Sequence, residues 1–390
     1  MSASFWLDRT PTKAARTFDA VIVGAGITGL SLAYWLKKED PSLKVAIVEK
    51  ARLGFGASGR NAGFVTCGSV EHFNRLIGKH GEKEALEIWR FSEENLRLLR
   101  EHVIEGEGKL LQFEDEGTYS LAAQDAEFEE LKKVAAIMNR VGIGNEVLSS
   151  SEIEKRVGAV SFVGGIKYLD DAAIHPVRLL ERLALKSGVE IIEQTEAYGI
   201  EPTEEGTRRL RTDGGIFEAS MILFALNGYS ATMSPYFADK IYPTRGQILV
   251  VEPVPRFMDG PCYANFYLDY FRQLAGGELL IGGFRQLEKA TETGYSDHIT
   301  PVIQQALHEF VVTHLPRFKD SKVSHRWSGV MGFSADGQPL VGSLPEDNQV
   351  FFCGGYTGHG MGLAFHSAKC LVDLIFGRSV PSWLSAKRFG

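Results

Sequence analysis

Three glycines, Gly24, Gly26 and Gly29, stand in the run GAGITG, and the acidic residue Glu49 follows about 20 residues later. Such a set can hold a dinucleotide. Gly24 allows a tight turn, Gly26 lets a pyrophosphate reach the backbone, and Gly29 lets a helix pack closely on a strand. Unpaired N–H groups at the start of that helix attract the anion. A carboxylate at position 49 can accept hydrogen bonds from an adenosine ribose. Outside this role the same residues would be a glycine-rich turn and a solvated strand end.

Two further glycine-rich runs decide which dinucleotide fits. Gly54–Gly63 reads GFGASGRNAG and offers Ser58, Arg60 and Asn61; Gly354–Gly362 reads GGYTGHGMG, about 330 residues beyond the first motif. A cofactor as long as FAD, with two ends to hold, explains loops so far apart. Cofactor contacts are therefore expected from Gly24, Gly26, Ile27, Thr28, Gly29, Glu49, Lys50, Ser58, Gly59, Arg60, Asn61, Gly63, Asn227, Gly355, Thr357, Gly358, His359, Gly360, Met361 and Gly362. Flanking glycines leave His359 accessible for a flavin contact; otherwise it bonds within its loop. Arg60 either pairs with the pyrophosphate or is a surface arginine.

The elements that must position these residues follow from their patterns. FDAVIV, 18–23, has the β-branched apolar run of a buried parallel strand. A helix covers 30–38, a second strand 44–48, and Glu49 ends it. A further strand at 350–353 leads through glycines into a helix from about Leu363. Helices are expected over 82–102, 126–141, 173–188 (with Pro176 in its first turn) and 301–315. Segment 196–226 reads as a small antiparallel layer turning at Asp213-Gly214. Asp336-Gly337 reads as a turn, and His175 as a helix-entry residue.

At 390 residues the chain exceeds one ordinary core. The fold class is α/β: an FAD-binding, Rossmann-like βαβ domain with a second, mixed α+β substrate domain. The expected boundaries are 1–110, 150–232 and 326–390 for the first, discontinuous domain, and 111–149 and 233–325 for the second. A net charge of -7 argues against nucleic acid as the main partner. The basic run Arg208-Arg209-Leu210-Arg211 reads as a solvated hairpin beside Glu204 and Glu205. Cys67, Cys262, Cys353 and Cys370 lack CxxC spacing, so neither a metal site nor a redox pair is expected. Free thiols, and the lack of a signal-like or membrane-length apolar run, point to a cytoplasmic protein without a transmembrane segment.

The chain also resembles the D-amino-acid-oxidase superfamily of flavoproteins from Asp19 to about Phe376. The resemblance is carried by GASGRN (56–61), IHPVRLLERLA (174–184), LNGYS (226–230), PTRGQ (243–247) and GYTGHGMG (355–362). Within it, the chain is most similar to the γ-glutamylputrescine oxidase and monomeric sarcosine oxidase branch. This implies FAD, a small amine as substrate, and dioxygen or another electron acceptor. Sarcosine oxidase links its flavin to a cysteine in a segment that matches residues 328–333 here, which have none, so the FAD is expected to be held without a covalent bond. In NFYLDYFRQL (265–274), alternation places Phe266, Leu268 and Tyr270 on one side and Tyr267, Asp269 and Phe271 on the other. The resemblance places Tyr270 on the substrate side of the flavin, with Arg272 and His359 as further catalytic candidates. An aromatic core strand is the competing reading. Trp327 either covers the active site or belongs to the core.

Two departures from the family narrow the expectation. Glycine-oxidase-like relatives clamp the substrate carboxylate with an arginine where this chain has Met331. Sarcosine oxidase places an oxygen-activating lysine where this chain has Leu280. Three readings stay open. One is an amine or N-substituted amino-acid oxidase that yields hydrogen peroxide. Another is a dehydrogenase that passes electrons to a quinone or protein. The third is a non-catalytic, flavin-holding regulatory protein.

Overall fold

The computed structural model describes residues 15–266 and 269–389. Tyr267 and Leu268, part of the alternation above, lie outside the described residues. Among the described residues, the strands form two eight-stranded sheets and a two-stranded ribbon. Contacts divide the chain into two units. The first runs to Gly59 and adds Val177–Thr244 and the chain from Val330; the second is Arg60–Pro176 with Arg245–Gly329. Residues 60–110 and 150–176, expected in the cofactor domain, thus fall in the second unit.

The first unit is organised by β1 (Arg16–Val23), α1 (Ile27–Glu39), β2 (Val45–Val48), β3 (Glu190–Ile192), β4 (Gly215–Phe224), β5 (Leu340–Leu344), β6 (Asp347–Gly354) and α2 (Gly360–Ile375). Their sheet order is β5-β6-β4-β1-β2-β3. β1 is parallel to both β2 and β4, and β4 is parallel to β6. Ala20, Val21 and Ile22 are fully buried, as a central strand covered on both faces requires. From β1 the chain moves through α1 to β2 on one side, and later enters β4 on the other. β1 therefore borders the switch point at whose carboxyl end open α/β sheets bind ligands.

Helix α1 is buried nearly all round, at Ile27 to Ala33, Trp35 and Leu36, rather than along one stripe. The neighbour that removes its second face is α2. The Trp35 indole N–H donates to Phe365 O at 3.0 Å, and the two rings lie 4.9 Å apart. α2 begins at Gly360, three residues earlier than the sequence suggested. The antiparallel layer is also only part of the story. Strands Ala197–Pro202 and Arg208–Thr212 do pair antiparallel with each other and with β4, but β4 then joins the parallel sheet. The basic run lies on that hairpin and is ion-paired rather than solvated: Arg208 with Asp347, Arg209 with Glu218, Arg211 with Glu201.

In the second unit, the large sheet alternates strictly between two faces. Leu249, Val251, Phe271, Leu279 and Ile281 are fully buried against Ile303, Leu307, Phe310 and Val311 of helix Pro301–His314. The opposite face carries Ile248, Val250, Tyr263, Tyr270 and Leu280, packed with Ala62, Phe64 and Trp327. Among the described residues no helix is long and apolar enough to cross a membrane.

Candidate functional site

The glycine motif of the first unit has the geometry its spacing predicts. Gly24 has φ +108, and a Cβ there would lie 2.9 Å from Ala225 O at the end of β4. A Cβ on Gly29 would lie 1.9 Å from Gly24 O, so only glycine lets α1 start this close to β1. Gly26 differs. Its φ of -83 suits any residue, and the nearest atom to a Cβ would be the mobile Ser58 Oγ at 2.9 Å. Packing within the chain does not require glycine here; close approach by a ligand does. The Ile27 N–H donates to Ser58 Oγ at 3.0 Å, which ties GASGRN to the start of α1. Thr28 and Gly29 are buried in that first turn.

Glu49 follows β2 and accepts from the Ala25 N–H (2.9 Å, Oε2) and the Ala51 N–H (2.9 Å, Oε1). One bond per oxygen fixes the carboxylate and leaves each oxygen a second lone pair for a ribose hydroxyl. Lys50 is exposed, its ammonium 4.1 Å from the Tyr229 ring centre.

The C-terminal glycine loop meets the first motif. Tyr356 is buried, and its hydroxyl lies 2.9 Å from Thr28 Oγ1 and 3.0 Å from Cys353 Sγ. Asn227, with φ +46, accepts the Gly355 N–H at 2.9 Å through its side chain. Thr357, also at positive φ, donates its N–H to Gly332 O and takes the Ser334 N–H on Oγ1. Gly355 and Gly358 have positive φ, and Gly360, Met361 and Gly362 form the first turn of α2. Nδ1 of His359 lies 3.1 Å from Thr357 O, so the loop engages one side of this ring. Both α1 and α2 start without a side-chain cap from the N-cap residue and without an acidic residue in the first turn. Each follows a strand of the parallel bundle, so both positive helix ends point to the carboxyl end of the sheet. Two helix starts without an acidic residue in the first turn, a clearance at Gly26 and a fixed carboxylate match the chemistry of FAD.

The remaining candidates lie in the second unit. Arg60 donates to Asp297 Oδ2 at 2.9 Å and to Ser328 O at 3.1 Å, so its guanidinium is engaged at these groups. Asn61 accepts the Gly63 N–H at 2.7 Å and shapes the loop. Trp327 donates its indole N–H to Arg60 O at 2.9 Å. Among the described residues strand pairing begins at Asp269, and Phe266 lies outside it. Asn265 and Phe266 have φ +59 and +53, a turn that breaks the expected alternation. From Asp269 the alternation holds: Tyr270 and Arg272 share the aromatic face, and Phe271 turns to the helix-covered core. The Tyr270 ring folds over its cross-strand partner Gly282, where a Cβ would lie 2.4 Å from the phenol oxygen. Phe64 meets Tyr263 and Tyr270 edge-on, at 5.3 and 5.7 Å between ring centres. Burial pushes both phenols above their ordinary range, so both stay neutral.

Tyr263, Phe64 and Tyr356 are thus added by the structure. Tyr356 stood inside a recognised motif and could have been chosen there. Phe64 and Tyr263 carry no local signal, because their meeting depends on strand pairing.

A family profile described as DAO, FAD dependent oxidoreductase, matches residues 19–374. The chain is similar to the probable oxidoreductase OrdL of Rhizobium meliloti strain 1021, at 28% identity over 94% of this chain and 84% of the relative. It is similar to gamma-glutamylputrescine oxidoreductase of Escherichia coli K12, at 25% identity over 93% and 84%. Among solved structures, glycine oxidase from Geobacillus kaustophilus superposes with a TM-score of 0.80 at 22% identity, covering 94% of this chain and 96% of that one.

Proposed function

The chain belongs to the family of FAD dependent oxidoreductases, and we propose that it oxidises the C–N bond of an amine or N-substituted amino acid to an imine, with dioxygen as final acceptor and hydrogen peroxide as product. The observation that carries this reading is the Thr28–Tyr356 contact, which joins the two glycine loops into one cradle at the carboxyl end of the parallel sheet. FAD, when bound, accepts the electron pair and hydrogen from the carbon beside nitrogen. The α1 start with Ser58 holds the pyrophosphate, and Glu49 takes the ribose hydroxyls. The α2 start, with His359 before it, would offer a positive helix end to the bound cofactor. In the second unit, the neutral phenol of Tyr270, backed by Tyr263 and Phe64, supports an uncharged amine and excludes water. The imine released is hydrolysed by water to a carbonyl compound. Anaerobic mixing with a panel of amines tests the reading: at least one should bleach the bound flavin, and a flavin inert to every amine and amino acid would remove the assignment.

Met331 shapes the substrate class. An arginine clamp is missing there, and the buried Arg245 is engaged by Glu292 through Nε (3.1 Å) and Nη2 (2.7 Å), with both side chains almost fully buried. A small α-amino acid that lacks a second recognition group would bring a carboxylate without a partner, at a cost of about 3 kcal/mol or more. Glycine should therefore reduce the flavin at least a hundredfold more slowly than a comparable neutral-tailed amine in stopped-flow traces. Equal rates would contradict this.

Leu280 favours a second reading, electron transfer to a quinone or protein. It is buried among Ala62, Phe64, Ile248, Val250 and Tyr263, an apolar setting where the resemblance implied an oxygen-activating lysine.

The flavin should be held without a covalent bond. Attachment to cysteine requires a thiolate, and all four thiols are buried. Burial pushes Cys67 and Cys262 well above the ordinary thiol range, and Cys353 and Cys370 up to about 12. Acid precipitation should leave a white pellet under a yellow supernatant. A yellow pellet, with the mass of FAD added to the chain, would reverse this prediction.

A further inference from the structure

Arg272 is 3% exposed, and burial pulls its guanidinium below the ordinary arginine range. A buried cation persists only where other groups compensate it. Here the compensation comes mainly from backbone. Nη1 faces Ala62 O at 3.3 Å, Gly63 O at 3.4 Å and Ile174 O at 3.5 Å. Nη2 lies 3.7 Å from Glu114 Oε2, and Glu114 is shared with Arg256 at 3.1 Å. Nε has no hydrogen-bond partner among the described residues.

The same three chain segments are stitched together by backbone bonds. The Ile174 N–H donates to Gly63 O at 2.8 Å, and Glu114 and Ala173 exchange two bonds of 2.8 Å. Phe64 pairs with Ala173, and Val65 with Ala172. Gly63 has φ +78, and a Cβ there would lie 2.0 Å from Ile174 O and 3.0 Å from Arg272 Nη1. A side chain at 63 would displace the Ile174 carbonyl that the guanidinium contacts and would crowd the guanidinium itself.

We propose that Arg272 is a positioning residue. Its guanidinium clasps the carbonyls of Ala62, Gly63 and Ile174 and so fixes the segment that presents Phe64 to Tyr263 and Tyr270. A ring of carbonyl oxygens backed by Glu114 repels a substrate carboxylate, so Arg272 does not replace the clamp absent at Met331. One guanidinium reaches the three carbonyls with Nη1 and Glu114 with Nη2, a span that a lysine ammonium, a single point charge, does not cover.

The test uses Arg272→Lys, Arg272→Met and Gly63→Ala in the flavin-loaded protein, read by hydrogen–deuterium exchange. Peptides covering 60–66 and 172–175 should exchange about tenfold faster in Arg272→Met and Gly63→Ala, as expected when roughly one hydrogen bond to a charged group is lost. Arg272→Lys should fall between wild type and Arg272→Met. Helix 301–314 should be unchanged. This structural arm is independent of the substrate. The kinetic arm rests on the amine-oxidation reading: kcat for an amine lacking a carboxylate should fall with KM little changed. Unchanged exchange, with KM raised only for carboxylate-bearing substrates, would make Arg272 a substrate anchor and overturn the proposal. Faster exchange everywhere would reduce it to a general stability role and overturn it equally. If no amine bleaches the wild-type flavin, the functional reading fails while the exchange pattern still decides the role of Arg272. Should Arg272→Met not fold, the Lys and Gly63 variants carry the decision.

Discussion

Purified Gly26→Val protein is expected to be colourless yet folded, whereas wild type should be yellow with about one FAD per chain. The contrast follows from what surrounds each glycine. At Gly26 the backbone is extended, and an added Cβ meets only Ser58 Oγ, which can rotate away. The polypeptide therefore tolerates valine, but the isopropyl group fills the space a pyrophosphate needs. Stability should fall by the lost binding contribution alone, about 2.7 kcal/mol when free FAD would stand at a hundred times its Kd. Gly29→Ala is the control. Its Cβ would meet Gly24 O at 1.9 Å, a backbone atom that cannot yield, so that variant should lose both colour and fold. Absorbance at the flavin band and circular dichroism separate the outcomes. A yellow Gly26→Val protein, or a stoichiometric NAD complex without a flavin spectrum, would contradict the assignment of this loop.

Asp171→Asn should stabilise the protein at alkaline pH and not at acid pH. Asp171 is 1% exposed and accepts from Thr118 Oγ1 (2.6 Å) and the Cys67 N–H (3.2 Å). Burial pushes its carboxyl up to about 7; hydrogen bonds from Thr118, Thr66 and Cys67 oppose the rise, and Glu93 adds to it. The buried neighbours Tyr263, Tyr168 and Cys67 stay neutral, because burial raises each of them. A folded-state value above the ordinary 3.8 means the fold binds this proton more tightly than the unfolded chain does. The stability it supplies is complete below about pH 4 and is lost as pH rises through 7. Ionising the group in the folded state then costs about 4 kcal/mol. Asparagine keeps an oxygen for the Cys67 N–H, and the Thr118 hydroxyl can turn to accept from its amide. Urea unfolding should therefore show a gain of about 1–3 kcal/mol at pH 8.5, shrinking to zero or below at pH 5. Parallel curves for variant and wild type across that range would show that Asp171 does not titrate near 7.

The cofactor cradle was legible in the residues because its requirements are local. A tight turn, a helix starting against a strand and an acid ending the next strand each depend on a few consecutive residues, and Gly24, Gly29 and Glu49 sit where those rules demand. Both helix starts were read three residues late, at Leu30 for Ile27 and at Leu363 for Gly360, because the glycines of each loop, Gly29 and Gly360 with Gly362, concealed them. Glycine is a poor interior residue, but close packing against α1 overrode that preference.

What the sequence by itself determined, then, is the cofactor class, the alternation of the strands and the chemistry each side chain can offer. Tertiary structure alone decided which of these groups meet. Thr28 and Tyr356 are 328 positions apart, and Arg272 lies 210 positions from Ala62. Such pairs are chosen by which strands become neighbours and in what register. A turn at Asn265 and Phe266 takes Phe266 out of the alternation, and pairing from Asp269 onward places Tyr270 over Gly282 and Arg272 among carbonyls. Local backbone preferences act over a few residues, whereas burial and charge compensation act through space. For that reason the contacts of Arg272 with the carbonyls of Ala62, Gly63 and Ile174 could not be read from the sequence.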